Sequence, residues 1–268
     1  MNPPLTIVTA ASSNHFLPLQ SLLWTISKFE LSARVVVYDL GLDADEHAAL
    51  VRTSPPLANW KILSFDFAKY PPHFSMAENA GRMAFRPTVL AEIAHELSPM
   101  GRTPSLLLWL DAGCQIREPL AAIKTIIQRD GVYCPCAPGS IVTCLHPASH
   151  SSLSVTPDLL PLPIRDAGIC GFNIANPAAM ALLDRWAAVA LDKNCSAPPG
   201  STRHTHRQDA VFAVLLYQAA QANNLKLEGK RLRGLAIKQD NLTLAETKVR
   251  ILGVPMPHRP TSKSSTPN

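Results

Sequence analysis

Three carboxylates stand where a folded chain can put them to chemical use: Asp111, Asp166 and Asp209. Asp111 ends the run Leu106-Leu107-Leu108-Trp109-Leu110, which is apolar on both faces, as a strand buried between helix layers must be. A charge inside such a sheet is costly. Asp111 is therefore expected at the strand's carboxyl end, facing a cleft, where open α/β sheets bind ligands. There it can meet a ligand, a metal ion or sugar hydroxyls. The plainer alternative is an Asp that caps the next helix. Gly113, two positions on, lets backbone or ligand approach closely.

Asp166 opens a polar loop, Asp166-Ala167-Gly168, that runs into a glycine-containing strand and then into Asn176-Pro177, an N-cap and first-turn proline. Glycine in such a strand marks close approach, either to a ligand or to a neighbouring helix. Asp209 follows a dense polar stretch, Arg203-His204-Thr205-His206-Arg207, and precedes an apolar helix over Ala210 to Ala220. Two Arg and two His before a helix attract anions, helped by the free N–H groups of its first turn. Asp209 in that turn complements the dipole. A solvated loop with a capping Asp is the competing account.

The elements that must position these groups repeat one plan. Leu5 to Ala10 is a short apolar run ending in polar residues, and Leu19, Leu22, Leu23 and Ile26 then share one helix face. Arg34 to Asp39 is a second apolar strand with a terminal carboxylate, and Asp43 begins a second helix through Leu50. Trp60 to Phe65 is a third strand. Met83 to Leu97 reads as a helix with Pro87 in its first turn or after a break. Strands alternating with helices imply βαβ units and a mostly parallel sheet whose strand ends share one rim. Met180, Leu183, Ala187 and Leu191 mark the expected buried stripe of the helix after Pro177.

At 268 residues, 47% hydrophobic and 17% charged, the chain can bury a sizeable core and is not a disordered polymer. The net charge of +5 is mild, and no Lys/Arg face interleaves with aromatics, which argues against nucleic acid as a partner. No apolar run is long enough to span a membrane, and no basic region precedes an apolar signal core. A cytoplasmic location follows, with peripheral membrane contact left open. Of the six cysteines, Cys134, Cys136 and Cys144 with His146 could fold together as a thiolate metal site. Buried free cysteine, a small apolar residue, is the simpler reading.

Taken in order, these landmarks resemble the GT-A type nucleotide-sugar glycosyltransferases, close to the retaining, GT8-like branch and to relatives with a similar Asp-Ala-Gly strand end. The resemblance spans roughly residues 5 to 220 and implies a single GT-A-like, Rossmann-like α/β domain over residues 1–255. The tail over 256–268, rich in Pro, Ser, Thr and Lys, is expected to be disordered. The implied activity is transfer of a sugar from a nucleotide-diphosphate sugar, UDP first among them, to a saccharide or other glycan acceptor, as in polysaccharide biosynthesis. By the same resemblance Thr9, Ala10 and Asp39 lie beside the nucleoside. Arg86, on the helix before the central strand, reaches the nucleotide or its phosphates. Asp111 and Gly113 occupy the place of the Asp-x-Asp motif, and Asp111 is the candidate metal ligand. Asp166 and Asp209 face the sugar or acceptor, and Arg203, His206 and Arg207 lie near phosphate, with His204 able to assist.

Two departures matter. Gly113 stands where the family has a second metal-binding Asp. Asp111 alone could hold Mn²⁺ or Mg²⁺ with water and phosphate oxygens, or the cations from Arg203 to Arg207 could make the site metal-independent. Asp166 stands where the family often has Asn. Two other readings stay open: a non-catalytic nucleotide-sugar binding protein, and a sugar nucleotidyltransferase. The Ala11-Ser12-Ser13-Asn14-His15 loop, with no Lys or Arg, argues against the latter.

Overall fold

The computed structural model describes residues 3–52, 57, 59–75, 83–98, 105–223, 225–227 and 236–239. The first half alternates as read: β1 (Leu5–Ala11), α1 (Phe16–Phe29), β2 (Arg34–Asp39), α2 (Ala44–Arg52), β3 (Asn59–Ser64), α3 (Phe85–Leu97) and β4 (Leu106–Leu110). Then come β5 (Cys114–Ile116), α4 (Ala121–Asp130), β6 (Val132–Tyr133), β7 (Cys136–Ser140), α5 (Ile141–Cys144) and β8 (Pro163–Arg165). The chain continues through β9 (Ile169–Asn173), α6 (Pro177–Leu191), α7 (Lys193–Ser196), α8 (Gln208–Asn223) and β10 (Ile237–Gln239). The expected tail over 256–268 lies outside the described residues.

The central sheet has strand order β3-β2-β1-β4-β9-β6. β3, β2, β1 and β4 run parallel, whereas β9 is antiparallel to both β4 and β6. Chain order therefore reverses between β1 and β4. After β1 the chain steps outward through β2 and β3, then crosses back to lay β4 on the other side. The pairing of β1 with β2 continues to Ala11 and Asp39, while that of β1 with β4 runs from Leu5–Leu106 to Val8–Trp109. The strands part just before Ala10 and Asp111, and a reversal of this kind leaves a crevice at the carboxyl rim.

Both faces of the sheet are covered, which is why β1, β2 and β4 read as continuous apolar runs. Val8, Ala10, Val36, Tyr38, Leu107 and Trp109 pack with α3, α6 and α8. Ile7, Val35, Val37, Leu106, Leu108 and Leu110 pack with Leu19, Leu22, Leu23 and Ile26 of α1 and Ile123, Ile126 and Ile127 of α4. Burying each such side chain contributes about 1.5–3 kcal/mol, so the four α1 residues fix its orientation and leave Trp24 on the outer side.

Local signals explain the helix boundaries. Asp43 and Glu46 exchange hydrogen bonds, each side chain accepting from the other's N–H at 2.7 and 3.1 Å, a capping box that starts α2 one residue after Asp43. Pro87 falls in the first turn of α3, where no helical N–H is needed. Asn176 caps α6 through Ala178 and Ala179. The α6 stripe differs from the expected one. Leu183 is buried, but Leu191 is exposed, and the inward residues are Ala179, Leu182, Leu183, Trp186 and Ala190. The helix packs on both α3 and α8, so its apolar face is wider than a single stripe and turned by one position. Among the described residues no helix is long and apolar enough to cross a membrane.

Gly171 settles one open alternative. A methyl group there would fall on Ile127 Cδ1 and within 2.9 Å of Ile127 Cγ1. The close approach is to helix α4.

Candidate functional site

Asp111 follows β4 directly, and its N–H donates to Gly168 O at 2.9 Å. Three contacts hold its carboxylate. Arg86 Nη2 donates to Oδ1 at 2.9 Å and to Oδ2 at 3.1 Å, and Trp109 Nε1 donates to Oδ1 at 2.6 Å. The sequence places Trp109 two positions before Asp111, on the same face of the strand, so its indole N–H can reach forward. Arg86 comes from the first turn of α3 and lies over the Trp109 ring, 5.5 Å from its centre. The Arg86 side chain is 3% exposed and that of Asp111 is 29% exposed. Burial pulls the Arg86 pKa down, but the carboxylates of Asp111 and Asp209 outweigh it, and the guanidinium stays charged.

The other two carboxylates arrive from different elements. β9 is antiparallel to β4, so the loop before β9 meets the end of β4. In that loop Asp166 is buried, and its Oδ1 accepts from Gly168 N at 3.2 Å. Ala167 N donates to Asp209 Oδ1 at 3.1 Å, and Arg207 Nη2 donates to Asp209 Oδ2 at 2.6 Å. The start of α8 is pinned from below, with Arg207 N bonded to Cys144 O at 2.8 Å and Gln208 Nε2 to Ser196 O at 2.6 Å. Burial raises the Asp209 pKa, Arg86 and Arg207 oppose the rise, and Asp166 and Asp111 add to it. Asp111, Asp166, Asp209, Arg86 and Arg207 therefore form one electrostatic group at the rim of the crevice.

The remaining candidates divide. Ala10 shares the face of Trp109. Thr9 points to the α1 face with its neighbours Ile7 and Ala11, fully buried, and its hydroxyl has no hydrogen-bond partner among the described residues. Asp39 Oδ1 accepts from Gly41 N at 2.8 Å and Leu42 N at 2.7 Å, closing the turn after β2. Gly113 lies in the tight turn between Asp111 and Cys114, where Cys114 N donates to Asp111 O at 2.8 Å. Arg203 and His204 are exposed. His206 is not one of the surface cations that its spacing from Arg203 and Arg207 leads one to expect. It is 1% exposed, and its Nδ1 accepts from His146 N at 3.4 Å. Burial first, then His146, lowers its pKa to about 4, so it is neutral at pH 7.

Cys134, Cys136 and Cys144 are all buried. Cys134 Sγ donates to Asp166 O at 3.3 Å, and burial pushes its pKa well up, which keeps it a thiol. Among the described residues no three His, Cys, Asp or Glu side chains group so as to hold a metal ion. Three contacts that shape the site are not announced by residue type or spacing: the Trp109 indole donor, the Ala167 backbone donor and the Cys144 carbonyl. Only the shared face of Trp109 and Asp111 was available as a signal.

A family described as a protein of unknown function, DUF1647, matches residues 2–91. No curated protein matches the chain. Among solved structures, the WbbM bifunctional glycosyltransferase superposes with a TM-score of 0.53 at 13% identity, over 80% of this chain and 38% of that one. The chain thus spans well under half of WbbM, and the likeness is one of fold. The galactosyltransferase LgtC, solved in complex with donor and acceptor sugar analogues, gives a TM-score of 0.44 at 16% identity, over 78% of this chain and 70% of that one.

Proposed function

We propose that this protein is a glycosyltransferase that moves a sugar from a nucleotide-diphosphate sugar, UDP-linked by preference, to a saccharide or other glycan acceptor. One observation carries the reading. Three carboxylates from three separate elements converge, with two guanidiniums, at the carboxyl rim beside the β1/β4 reversal. The shared fold with a protein described as a glycosyltransferase supports it.

The reaction breaks the bond between the anomeric carbon and the diphosphate oxygen. It forms a bond to an acceptor oxygen, whose proton must leave. The departing diphosphate needs positive charge, and preorganised cations supply it without reorganisation. Arg207 and Arg203, before the N-terminus of α8, are assigned that side, and Arg86, bonded to Asp111, is the buried cation of the group. An oxocarbenium-like sugar needs negative charge nearby. Asp111 is assigned to the donor sugar, and Asp209 with Asp166 to the sugar or the incoming acceptor hydroxyl. Ala10 and the turn closed by Asp39 are assigned to the nucleoside. Thr9 can join them only through its backbone, since its hydroxyl faces α1.

A thermal-shift screen of UDP-, GDP-, CMP- and dTDP-sugars, each with and without Mn²⁺, tests the proposal. A ligand at 100 times its Kd stabilises by about 2.7 kcal/mol, which for a domain of this size moves the melting temperature by several degrees. One nucleotide class is expected to do so. No shift with any of them at millimolar concentration removes the reading.

A further inference from the structure

We infer that Arg86 and Trp109 clamp the Asp111 carboxylate as a fixed hydrogen-bond acceptor for donor-sugar hydroxyls, and that this clamp, not a divalent metal ion, organises the site. The inference rests on the function proposed above and goes beyond it by giving Asp111 one ligand chemistry and excluding another.

A carboxylate offers about four lone-pair positions on two oxygens. Oδ1 already accepts from Arg86 Nη2 and Trp109 Nε1, and Oδ2 accepts from Arg86 Nη2. What remains is on Oδ2, and the Asp111 side chain is 29% exposed, so one side is open to an incoming group. A hydroxyl fits, because it adds one O–H donor and no charge. A divalent cation does not. It would have to approach an oxygen to about 2.0–2.6 Å with the Arg86 guanidinium already bonded to that carboxylate. Arg86 cannot swing aside without vacating a site in which it is 3% exposed and seated on the Trp109 ring. Gly113, two positions after Asp111, has no side chain to offer as a second ligand. No group of three potential ligands is assembled among the described residues. The residues present therefore do not fit a metal held through Asp111. Arg86 and Trp109 act through Asp111 and are positioning residues.

The test begins with the full chain and Mn²⁺ alone, followed by the free-ion signal in electron paramagnetic resonance. The native protein is expected to leave Mn²⁺ free at submillimolar concentration. Stoichiometric retention that disappears in Asp111→Asn would overturn the clamp. Gly113→Asp alone adds a second carboxylate while Arg86 still occupies the first and is expected to leave Mn²⁺ free, whereas Arg86→Met/Gly113→Asp frees Asp111 as well and is expected to gain a Mn²⁺ site that a further Asp111→Asn change loses. Mn²⁺ retention by Gly113→Asp, or a folded Arg86→Met/Gly113→Asp protein that still leaves Mn²⁺ free, would show that Arg86 is not what excludes the ion, and so also overturns it. Should variants carrying Arg86→Met not fold, Trp109→Phe keeps a smaller aromatic ring in the core and removes the indole donor. Loss of a hydrogen bond to a charged group is then expected to weaken binding of the nucleotide-sugar about tenfold while leaving binding of the bare nucleoside diphosphate unchanged. Equal binding of both ligands to native and Trp109→Phe protein contradicts the assignment. The Mn²⁺ arm needs no nucleotide, so absence of all nucleotide binding would remove the proposed function while the clamp is still decided.

Discussion

The backbone N–H of Ala167 donates to the carboxylate of Asp209 at 3.1 Å, across 42 positions of sequence. This bond joins the loop before β9 to the first turn of α8, and β9 in turn lies against β4. Two motifs far apart in the chain are thereby fixed beside Asp111, which neither of them could reach through its own secondary structure.

Asp209 should matter more to rate than to stability. Asp209→Asn keeps an oxygen able to accept from Ala167 and removes a charge that is expensive where it lies. Turnover is expected to fall on the order of 10²-fold or more, with the melting temperature unchanged or slightly higher. Near-native turnover would leave Asp209 as a structural cap.

The pH profile gives a second reading of the same group. Burial raises the Asp209 pKa, and Arg207 is one of the two charges opposing that rise. If Asp209 acts as a carboxylate, the acidic limb of kcat/KM lies above the ordinary aspartate range. It should move further up in Arg207→Ala, because an opposing charge is gone. A limb that stays in place in this variant separates Asp209 from the rate-limiting ionisation.

The sheet was largely legible because its pattern is local. The strand over Arg34–Asp39 and the core of the strand over Leu106–Leu110 coincide with the apolar runs, since buried parallel strands need no polar alternation. The convergence of Asp111, Asp166 and Asp209 was legible only as three separate strand and helix ends. What joins them is tertiary: an antiparallel β9 and a backbone donor that no side-chain type announces. His206 shows the converse. Its spacing beside two arginines reads as surface charge, and only packing against His146 and the α7 region shows it to be buried and neutral.

That burial has a signature in acid. His206 has a pKa near 4 when folded against about 6.5 when unfolded, so its contribution to stability is complete above pH 6.5 and is lost as pH falls toward 4. The loss amounts to roughly 3 kcal/mol at most. Urea midpoints between pH 7 and 4.5 should fall less steeply for His206→Gln than for the native protein. Parallel slopes would mean that His206 is protonated in the fold.

Packing at β9 should be similarly exacting. Gly171→Ala drives a methyl into Ile127 and to 3.3 Å from Leu108 Cδ1, an overpacked core expected to cost about 1–3 kcal/mol. Ile127→Val removes the obstructing Cδ1 and should restore part of the loss in the double variant. Chemical denaturation of the four proteins decides it, and additive effects would show that the two sites do not touch.

The most direct test of the account is a calorimetric titration of the native protein and Asp111→Asn with UDP-sugars, in the presence and in the absence of Mn²⁺. At least one UDP-sugar is expected to bind the native protein at millimolar concentration or below, and Asp111→Asn is expected to bind it at least tenfold more weakly. Equal binding by both proteins, or no binding by either under both conditions, would contradict the placement of a nucleotide-sugar site at the end of β4.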